Sequence, residues 1–287
     1  MHSTLFNPLQ VGALTVPNRI LLAPLTRARA DAGHMPNALM AEYYAQRASG
    51  GLLITECTMV APNTSAFIAE PGIYSPEQVA AWKQVTSAVH AKGGRIYMQI
   101  WHAGRAAHPA INGGTPTVSS TATPIEGDIH TPTGKVPHVP AHVLTESEIP
   151  GIVEAFVQGA KNAIAAGFDG VEVHAANGYL IDQFLRDGAN DRTDGYGGSL
   201  EARTRFPAEV VAAVSRLTDG LVDRSNASAA SDLGCAALHL GSAVQGAWLN
   251  VLINLGSIRD AAFAAQYRTR GQILLDEALP LSQRIYG

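Results

Sequence analysis

The stretch Asp169-Gly-Val-Glu-Val-His-Ala-Ala-Asn-Gly-Tyr179 combines a short strand with the polar loop that follows it. Its segment Val171 to His174 alternates apolar and polar residues, which is the period of a β-strand. In a parallel α/β protein, chemistry collects at the carboxyl ends of the strands and in the loops after them. We therefore expect His174, Asn177 and Tyr179 to offer N–H donors and a phenol that can hold a carbonyl oxygen and supply a proton.

The composition is that of an ordinary soluble globular protein. The chain has 287 residues, of which 46% are hydrophobic and 15% charged, and its formal net charge of -4 argues against binding to nucleic acid or an anionic membrane. Two cysteines, Cys57 and Cys235, without a CxxC pair favour a reducing compartment. The first residues lack the pattern of a signal peptide, and no apolar run is long enough to span a membrane. We expect a cytoplasmic protein.

Strand and helix patterns alternate along the first part of the chain, as in a parallel sheet built from βαβ units. The predicted strands are 19–25, 52–57, 95–102 and 171–174, and the predicted helices are 38–49, 76–92, 149–166, 181–186 and 200–217. The first strand is a continuous apolar run, which predicts burial on both faces. A segment at 104–144, rich in Pro, Gly, Thr and His, breaks the alternation and predicts an excursion or lid over one end of the sheet.

Five motifs occur in order along the chain. They are Ala23-Pro-Leu-Thr-Arg27, Tyr43-Tyr-Ala-Gln-Arg-Ala-Ser49, Gln99-Ile-Trp-His-Ala-Gly-Arg105, Val173-His-Ala-Ala-Asn-Gly-Tyr179 and Asn190-Asp-Arg-Thr-Asp-Gly-Tyr-Gly-Gly198. Together they resemble the old yellow enzyme family of flavin-dependent ene-reductases, which are FMN-binding (β/α)8 TIM barrels. The resemblance covers about residues 6–216. It implies transfer of hydride from NADPH or NADH through FMN to the C=C bond of a small α,β-unsaturated carbonyl or nitro compound.

The resemblance also implies roles for matching positions on the substrate side of the site. His174 and Asn177 would donate hydrogen bonds to the substrate oxygen as negative charge builds there. Tyr179 would protonate the neighbouring carbon as a general acid. Trp101 would shape the substrate pocket, although a buried tryptophan is equally typical of a core.

On the cofactor side, the family implies five FMN-binding positions, which are Pro24, Thr26, Cys57, Gln99 and His174. Thr26 would tune the flavin potential and Gln99 would bind the edge of the isoalloxazine ring. Simpler interpretations also exist, since Thr26 can cap a turn and Gln99 can satisfy a backbone group. Cys57 is expected to behave as a small buried hydrophobe without chemistry of its own.

A metal site is a weaker alternative. His102, His108 and His174 could meet in space, but the sequence has no HExxH or comparable spacing. We therefore predict no metal site, and we rank a barrel-like metal hydrolase below the flavoenzyme.

The resemblance ends before a whole barrel is complete. Four strands are recognisable up to His174, whereas a TIM barrel has eight, and the residues after Arg216 leave room for about two further units of roughly 30 residues each. We divide the chain into an incomplete barrel at 1–216 and a divergent tail at 217–287. The tail has apolar segments at 235–240 and 248–255, and 261–281 is expected to be helical.

The missing part affects function. The loops and arginines by which the family holds the pyrimidine end and the phosphate of FMN have no match in the tail. The alternative to an ene-reductase is therefore a non-catalytic, truncated remnant that does not retain FMN. An unclosed barrel would expose sheet edges, which favours a homodimer. The sequence does not identify the substrate or choose between NADH and NADPH.

Overall fold

The computed structural model describes residues 4–11 and 14–222, together with separate positions between 261 and 276. The chain divides into two units, Met1–Leu9 with Val16–Leu217 and Gln10–Thr15 with Thr218–Gly287. The predicted apolar segments at 235–240 and 248–255 lie outside the described residues. All described positions between 261 and 276 are helical, in agreement with the helix expected there.

The described part of the chain alternates strands and helices. The strands are β1 (Leu9–Val11), β2 (Leu14–Val16), β3 (Leu21–Leu22), β4 (Leu52–Ile54), β5 (Thr58–Met59), β6 (Ile96–Trp101), β7 (Val118–Ser119), β8 (Asp128–Thr131), β9 (Gly134–Pro137), β10 (His142–Val143) and β11 (Gly170–Val173). The α-helices are α1 (Ala38–Ala45), α2 (Pro76–His90), α3 (Ile149–Ala165), α4 (Leu180–Leu185) and α5 (Leu200–Val222).

Five of these strands form one parallel sheet. Its order is β3-β4-β6-β11, and β5 pairs with β6 farther along that strand than β4 does. Helix α1 connects β3 to β4, α2 connects β5 to β6, and α3 connects β6 to β11. The βαβ rhythm predicted from the sequence is therefore present.

The core lies between the helices and one face of the sheet. Trp82 of α2 and Phe156 of α3 are fully buried there with Met98 and Ile100 of β6. The Trp82 indole donates a 3.0 Å hydrogen bond to the Gly72 carbonyl, so burial leaves its N–H satisfied. A second, smaller apolar cluster contains Cys57, Met59, Ala66, Trp101, Ala103 and Ala107.

The first strand of the sheet differs from its prediction. Burial on both faces was expected, but Leu21 is 49% exposed and Leu25 is 61% exposed, and only residues 21 and 22 form a ladder. Among the described residues β3 pairs with β4 alone, so it is an edge strand. An apolar run therefore indicates what a strand would bury in a complete sheet, and not what covers it in this chain.

Helix starts follow side-chain caps at two of the three crossovers. Asn37 accepts a hydrogen bond from the Met40 N–H at the start of α1, and Ser75 with Gln78 forms a complete capping box at α2. Before α3 the stretch Thr145-Glu-Ser-Glu148 has the sequence of a capping box, but only half of such a box is made. Glu148 accepts from the Thr145 N–H at 2.7 Å, but Glu148 is itself the N-cap of α3, and no cap side chain accepts a backbone N–H of that helix.

The excursion at 104–144 contains two short 3₁₀ turns, the parallel pair β7–β10 and the antiparallel hairpin β8–β9. Buried polar side chains join it to α4 and to the segment after Asn190. The Ser119 hydroxyl donates to Gln183 Oε1 at 2.9 Å, and the Arg192 guanidinium donates to the carbonyls of Ser120 and Leu144. The glycine-rich segment after Asn190 thus has a structural role, because its buried Arg192 binds the backbone of the excursion at Ser120 and Leu144.

We expect Gly170→Ala to destabilise the sheet, because a Cβ atom at this position would lie 2.5 Å from Cζ of Tyr97, its neighbour across the β11–β6 pair. Such overpacking costs roughly 1–3 kcal/mol of unfolding free energy. Gly151→Ala is the matched control, since its Cβ would meet nothing within 4 Å and alanine favours the helix. Urea unfolding followed by circular dichroism should show a lower midpoint for Gly170→Ala alone. Equal midpoints for the two variants would contradict the packing argument.

Candidate active site

The predicted site residues lie at the carboxyl ends of the parallel strands. Trp101 is the last residue of β6, His174 directly follows β11, and Cys57 lies between β4 and β5. Thr26 lies in the segment after β3. Because the carboxyl ends of parallel strands lie at the same edge of the sheet, these four residues lie at one edge of this sheet.

Three aromatic side chains form the centre of this region. The Trp101 indole is fully buried, and the Tyr179 ring packs edge-on against it with centroids 4.4 Å apart. The His174 ring lies 6.0 Å from Trp101 in a stacked orientation and 5.1 Å from Tyr179 in an edge-on orientation. His174 and Tyr179 are each half-buried, and their ring contacts with Trp101 and with each other restrict where the imidazole and the phenol point.

The protonation state of His174 follows from its surroundings. Burial lowers the pKa of its imidazole, which keeps the ring neutral near pH 7. Its Nδ1 accepts a hydrogen bond from the Ala176 N–H at 3.3 Å, so the single proton of the neutral ring is assigned to Nε2. His174 therefore offers one N–H donor.

Tyr179 offers a proton in the same region. Burial, with smaller contributions from Cys57 and Glu70, raises the pKa of its phenol to about 12. The hydroxyl thus stays protonated through the neutral range and can donate to an atom placed beside it.

Asn177 lies on the loop between these two residues. It is exposed and adopts φ +60°, a left-handed conformation that asparagine tolerates better than most residues. Within the described residues its side chain makes no hydrogen bond, while the loop around it is held by Gly178 N–H donating to Asp182 at 2.7 Å. The loop is therefore held in place while the Asn177 side chain remains available. Its role as a second donor stays a prediction.

The cofactor-side residues are joined by a buried glutamate that the sequence did not indicate. Thr26 Oγ1 lies 3.1 Å from Cys57 Sγ. The next backbone N–H, that of Arg27, donates to Glu56 at 2.9 Å, and Tyr44 hydrogen-bonds both the carboxyl and the backbone N–H of Glu56. Glu56 therefore ties the end of β4 to the segment after β3 and sets the Thr26–Cys57 contact.

Gln99 has a fixed orientation on β6. Its Nε2 donates a 2.6 Å hydrogen bond to Glu172 of β11, its partner in the strand register. The amide oxygen is left as the atom that can accept a hydrogen bond. Pro24, half-buried and without an N–H, can contribute only surface and a carbonyl in this part of the site.

The histidines considered for a metal site are each engaged with the backbone. His102, His108 and His174 all accept, through Nδ1, the N–H of the residue two positions on. Burial lowers the pKa of His102 to about 4. No group of three or more His, Cys, Asp or Glu side chains suited to a metal ion was found in the part of the chain that the structure describes.

Two residues in the loop after β5 were not recognised from the sequence. The Phe67 ring stacks on Trp101 with centroids 6.0 Å apart, on the edge of the aromatic centre. Glu70, in the same loop, is fully buried. The available signal was an apolar Phe67-Ile68 pair and a carboxylate inside a polar loop, which does not reveal what either residue contacts.

Comparison with known proteins identifies the family. The model of the NADH:flavin oxidoreductase / NADH oxidase family matches residues 4–228, more than half of the chain. The chain belongs to this family. The resemblance to old yellow enzymes inferred from the five motifs is thereby confirmed.

Curated relatives from several kingdoms are similar over the same part of the chain. A chanoclavine-I aldehyde reductase of Penicillium roqueforti is 51% identical over 73% of this chain and 56% of its own length. The 12-oxophytodienoate reductase 7 of Oryza sativa subsp. japonica is 53% identical over 74% of this chain and 55% of its own length.

Solved structures of the family share the fold. The old yellow enzyme homologue from Zymomonas mobilis is 46% identical with a TM-score of 0.73, covering 74% of this chain and 60% of that one. Morphinone reductase in complex with tetrahydroNAD is 47% identical with a TM-score of 0.71, covering 75% of this chain and 61% of that one. The predicted (β/α)8 fold class, incomplete in this chain, is confirmed.

Two findings concern the extent of the match. The chain spans little more than half the length of the curated relatives that it matches. A second family model, that of formiminotransferase-cyclodeaminase, matches residues 190–272, less than half of the chain.

A search of the described helices found none with the length and apolar character needed to cross a membrane.

We expect Cys57 to resist alkylation in the folded protein, because burial raises the pKa of its thiol to about 12. At pH 8 its thiolate fraction is roughly a thousandfold below that of an unperturbed thiol. The measurement is iodoacetamide labelling of a Cys235→Ser variant, with mass spectrometry at Cys57. The same variant in urea is the control and should label at the ordinary rate. Rapid labelling of the folded variant would contradict the assigned environment.

Proposed function

We propose that the protein is an FMN-dependent ene-reductase that uses NADPH or NADH to reduce the C=C bond of small α,β-unsaturated carbonyl or nitro compounds. The observation that carries this proposal is the contact cluster of His174, Tyr179 and Trp101 beside the Thr26–Cys57 pair. The printed names of the relatives, among them a probable flavin mononucleotide-dependent alkene reductase of Leishmania infantum, support the same reaction class.

The residues present fit the ring system of FMN. The Thr26 hydroxyl, the Gln99 amide oxygen held by Glu172, and the surface of Pro24 and Cys57 supply hydrogen-bonding groups beside apolar contact. When bound, FMN would supply the hydride that it has taken from NADPH or NADH. In the described residues the Arg192 guanidinium is committed to carbonyls and Asp194, so it offers no phosphate site.

The chain's own residues account for the rest of the reaction. His174 Nε2–H, with the Asn177 amide, donates to the substrate oxygen as it becomes negative, and donors of this kind are each worth about 3 kcal/mol in the transition state. Tyr179 gives its phenolic proton to the carbon that needs one, a step worth about 10²–10⁴-fold in rate. Trp101 and Phe67, whose rings stack, supply an apolar surface beside these donors.

We also propose the finer assignments of domain, location and assembly. Residues 1–216 would form the FMN-binding part, with 104–144 over its carboxyl-end face, and 217–287 a separate tail; the extent of the flavin-family match and the division of the chain at Leu217 support this. A cytoplasmic location rests on the cysteine usage. A homodimer rests on the exposed Leu21 and Leu25 at the sheet edge.

We expect FMN to co-elute with the purified 287-residue protein in gel filtration after incubation with excess FMN. The visible flavin spectrum of the protein peak is the measurement, and light scattering on the same peak gives the mass that tests the dimer. Bovine serum albumin treated identically controls for carry-over. A folded but colourless protein would instead support the alternative, a non-catalytic remnant that does not retain FMN.

We expect His174→Ala combined with Asn177→Ala to weaken the binding of a phenolic ligand by about tenfold or more, because hydrogen bonds to a charged oxygen contribute about 1.5–3 kcal/mol each. Ligand-induced change in the flavin spectrum measures binding. Tyr179→Phe is the matched control, which should keep phenol affinity and slow enone turnover. An unchanged spectral titration in the double variant would show that these residues do not hold the oxygen.

A further inference from the structure

The buried carboxyl group of Glu70 closes the loop that follows β5. Its side chain is fully inaccessible to solvent, and Oε1 accepts a hydrogen bond from the Ala66 N–H at 3.1 Å. The Oε2 atom is buried and has no partner at hydrogen-bonding geometry within the described residues. A buried carboxyl oxygen of this kind is costly unless it carries a proton or finds a partner, so its presence calls for a role.

The loop that Glu70 closes carries Phe67 to the active-site aromatics. Ser65, next to Ala66, is held from the other side by Asn112, which accepts its N–H and donates to its carbonyl, both at 2.9 Å. With both sides of the segment fixed, the Phe67 ring stacks on Trp101 at an interplanar angle of 21°. Glu70 and Asn112 thus hold residues 65 and 66 by hydrogen bonds to their backbone groups.

We propose that Glu70 is a positioning residue of the site, whose carboxyl group in its protonated form holds residues 65–67 so that Phe67 stays stacked on Trp101. The inference rests on the proposed function only in treating this face as the substrate side. Ionisation of the carboxyl group would place an uncompensated charge in a buried position and loosen the segment.

The groups around Glu70 reinforce this expectation. Glu56, Cys57, Tyr74 and Tyr179 interact electrostatically with it, and each of them can only become negative. His34 Nδ1 contacts the backbone carbonyl of Glu70 at 2.8 Å, away from the carboxyl group.

Burial raises the pKa of the Glu70 carboxyl to about 8, although the nearby Ser65 hydroxyl and the N–H groups of Ala66 and Phe67 favour the charged form. Among the described residues only the Ala66 N–H donates to the carboxyl at hydrogen-bonding geometry. A raised carboxyl pKa means that the folded state binds the proton more tightly than the unfolded chain does. The stabilising contribution is therefore complete below the ordinary value of 4.5 and is lost as the pH rises to about 8. The thiol of Cys57 and the phenol of Tyr179 both have pKa values of about 12, so they do not titrate in this window.

The test is the near-ultraviolet circular dichroism of the full-length protein between pH 6 and pH 9, which reports on the Phe67–Trp101 stack without requiring turnover. The wild type should show a transition with a midpoint near pH 8. Glu70→Gln keeps a neutral oxygen acceptor and should lose this transition while retaining the signal at pH 6. Glu70→Ala should lose most of the signal at every pH.

Two controls separate the proposal from a general effect of pH or charge. Glu126→Gln, at an exposed glutamate, should titrate as the wild type does, and Trp101→Phe should lack the pH-dependent signal altogether. A transition in Glu70→Gln identical to that of the wild type would overturn the proposal, and so would a full signal in Glu70→Ala. Because the readout needs no FMN, failure of the proposed function would leave this result unaffected.

Discussion

Strand β6 is the constraint on which the site depends. It pairs with β4, β5 and β11, so its register fixes theirs. Met98 and Ile100 on one face are buried against the helices, whereas on the other face Gln99 contacts Glu172 and Trp101 contacts His174 and Tyr179. A slip of one residue would exchange the two faces. The register that buries Met98 and Ile100 against the helices is therefore the same register that places Trp101 in the aromatic cluster.

The sequence predicted the parts of the structure that local patterns determine. Alternating or continuous apolar runs located the four main strands, and residue types at strand ends located His174 and Tyr179. Contacts between distant segments left no such signal: Asn112 reaches Ser65 from 47 positions away, and Gln183 reaches Ser119 from 64. The exposure of Leu21 was also beyond the pattern, because burial depends on the strand that would lie beside it.

The extent of the chain separates the two ends of the flavin site. The match to the flavin family ends at residue 228, and a match to a different family already begins at 190. The donors proposed for a substrate oxygen, His174 and Asn177, follow β11 and lie within the flavin-family match. Retention of a phosphate-bearing cofactor needs cationic or backbone donors from elsewhere in a barrel. In the proposed function, the substrate-side donors and the retention of FMN therefore depend on different parts of the fold.

Burial gives the site its electrostatic character. It keeps the His174 ring neutral and the hydroxyl of Tyr179, the thiol of Cys57 and the carboxyl of Glu70 protonated near pH 7. In the proposed reaction, a substrate oxygen that becomes negative would meet N–H and O–H donors beside the buried Trp101, where such bonds are stronger than in water. The same low polarity makes any negative charge on the protein itself costly.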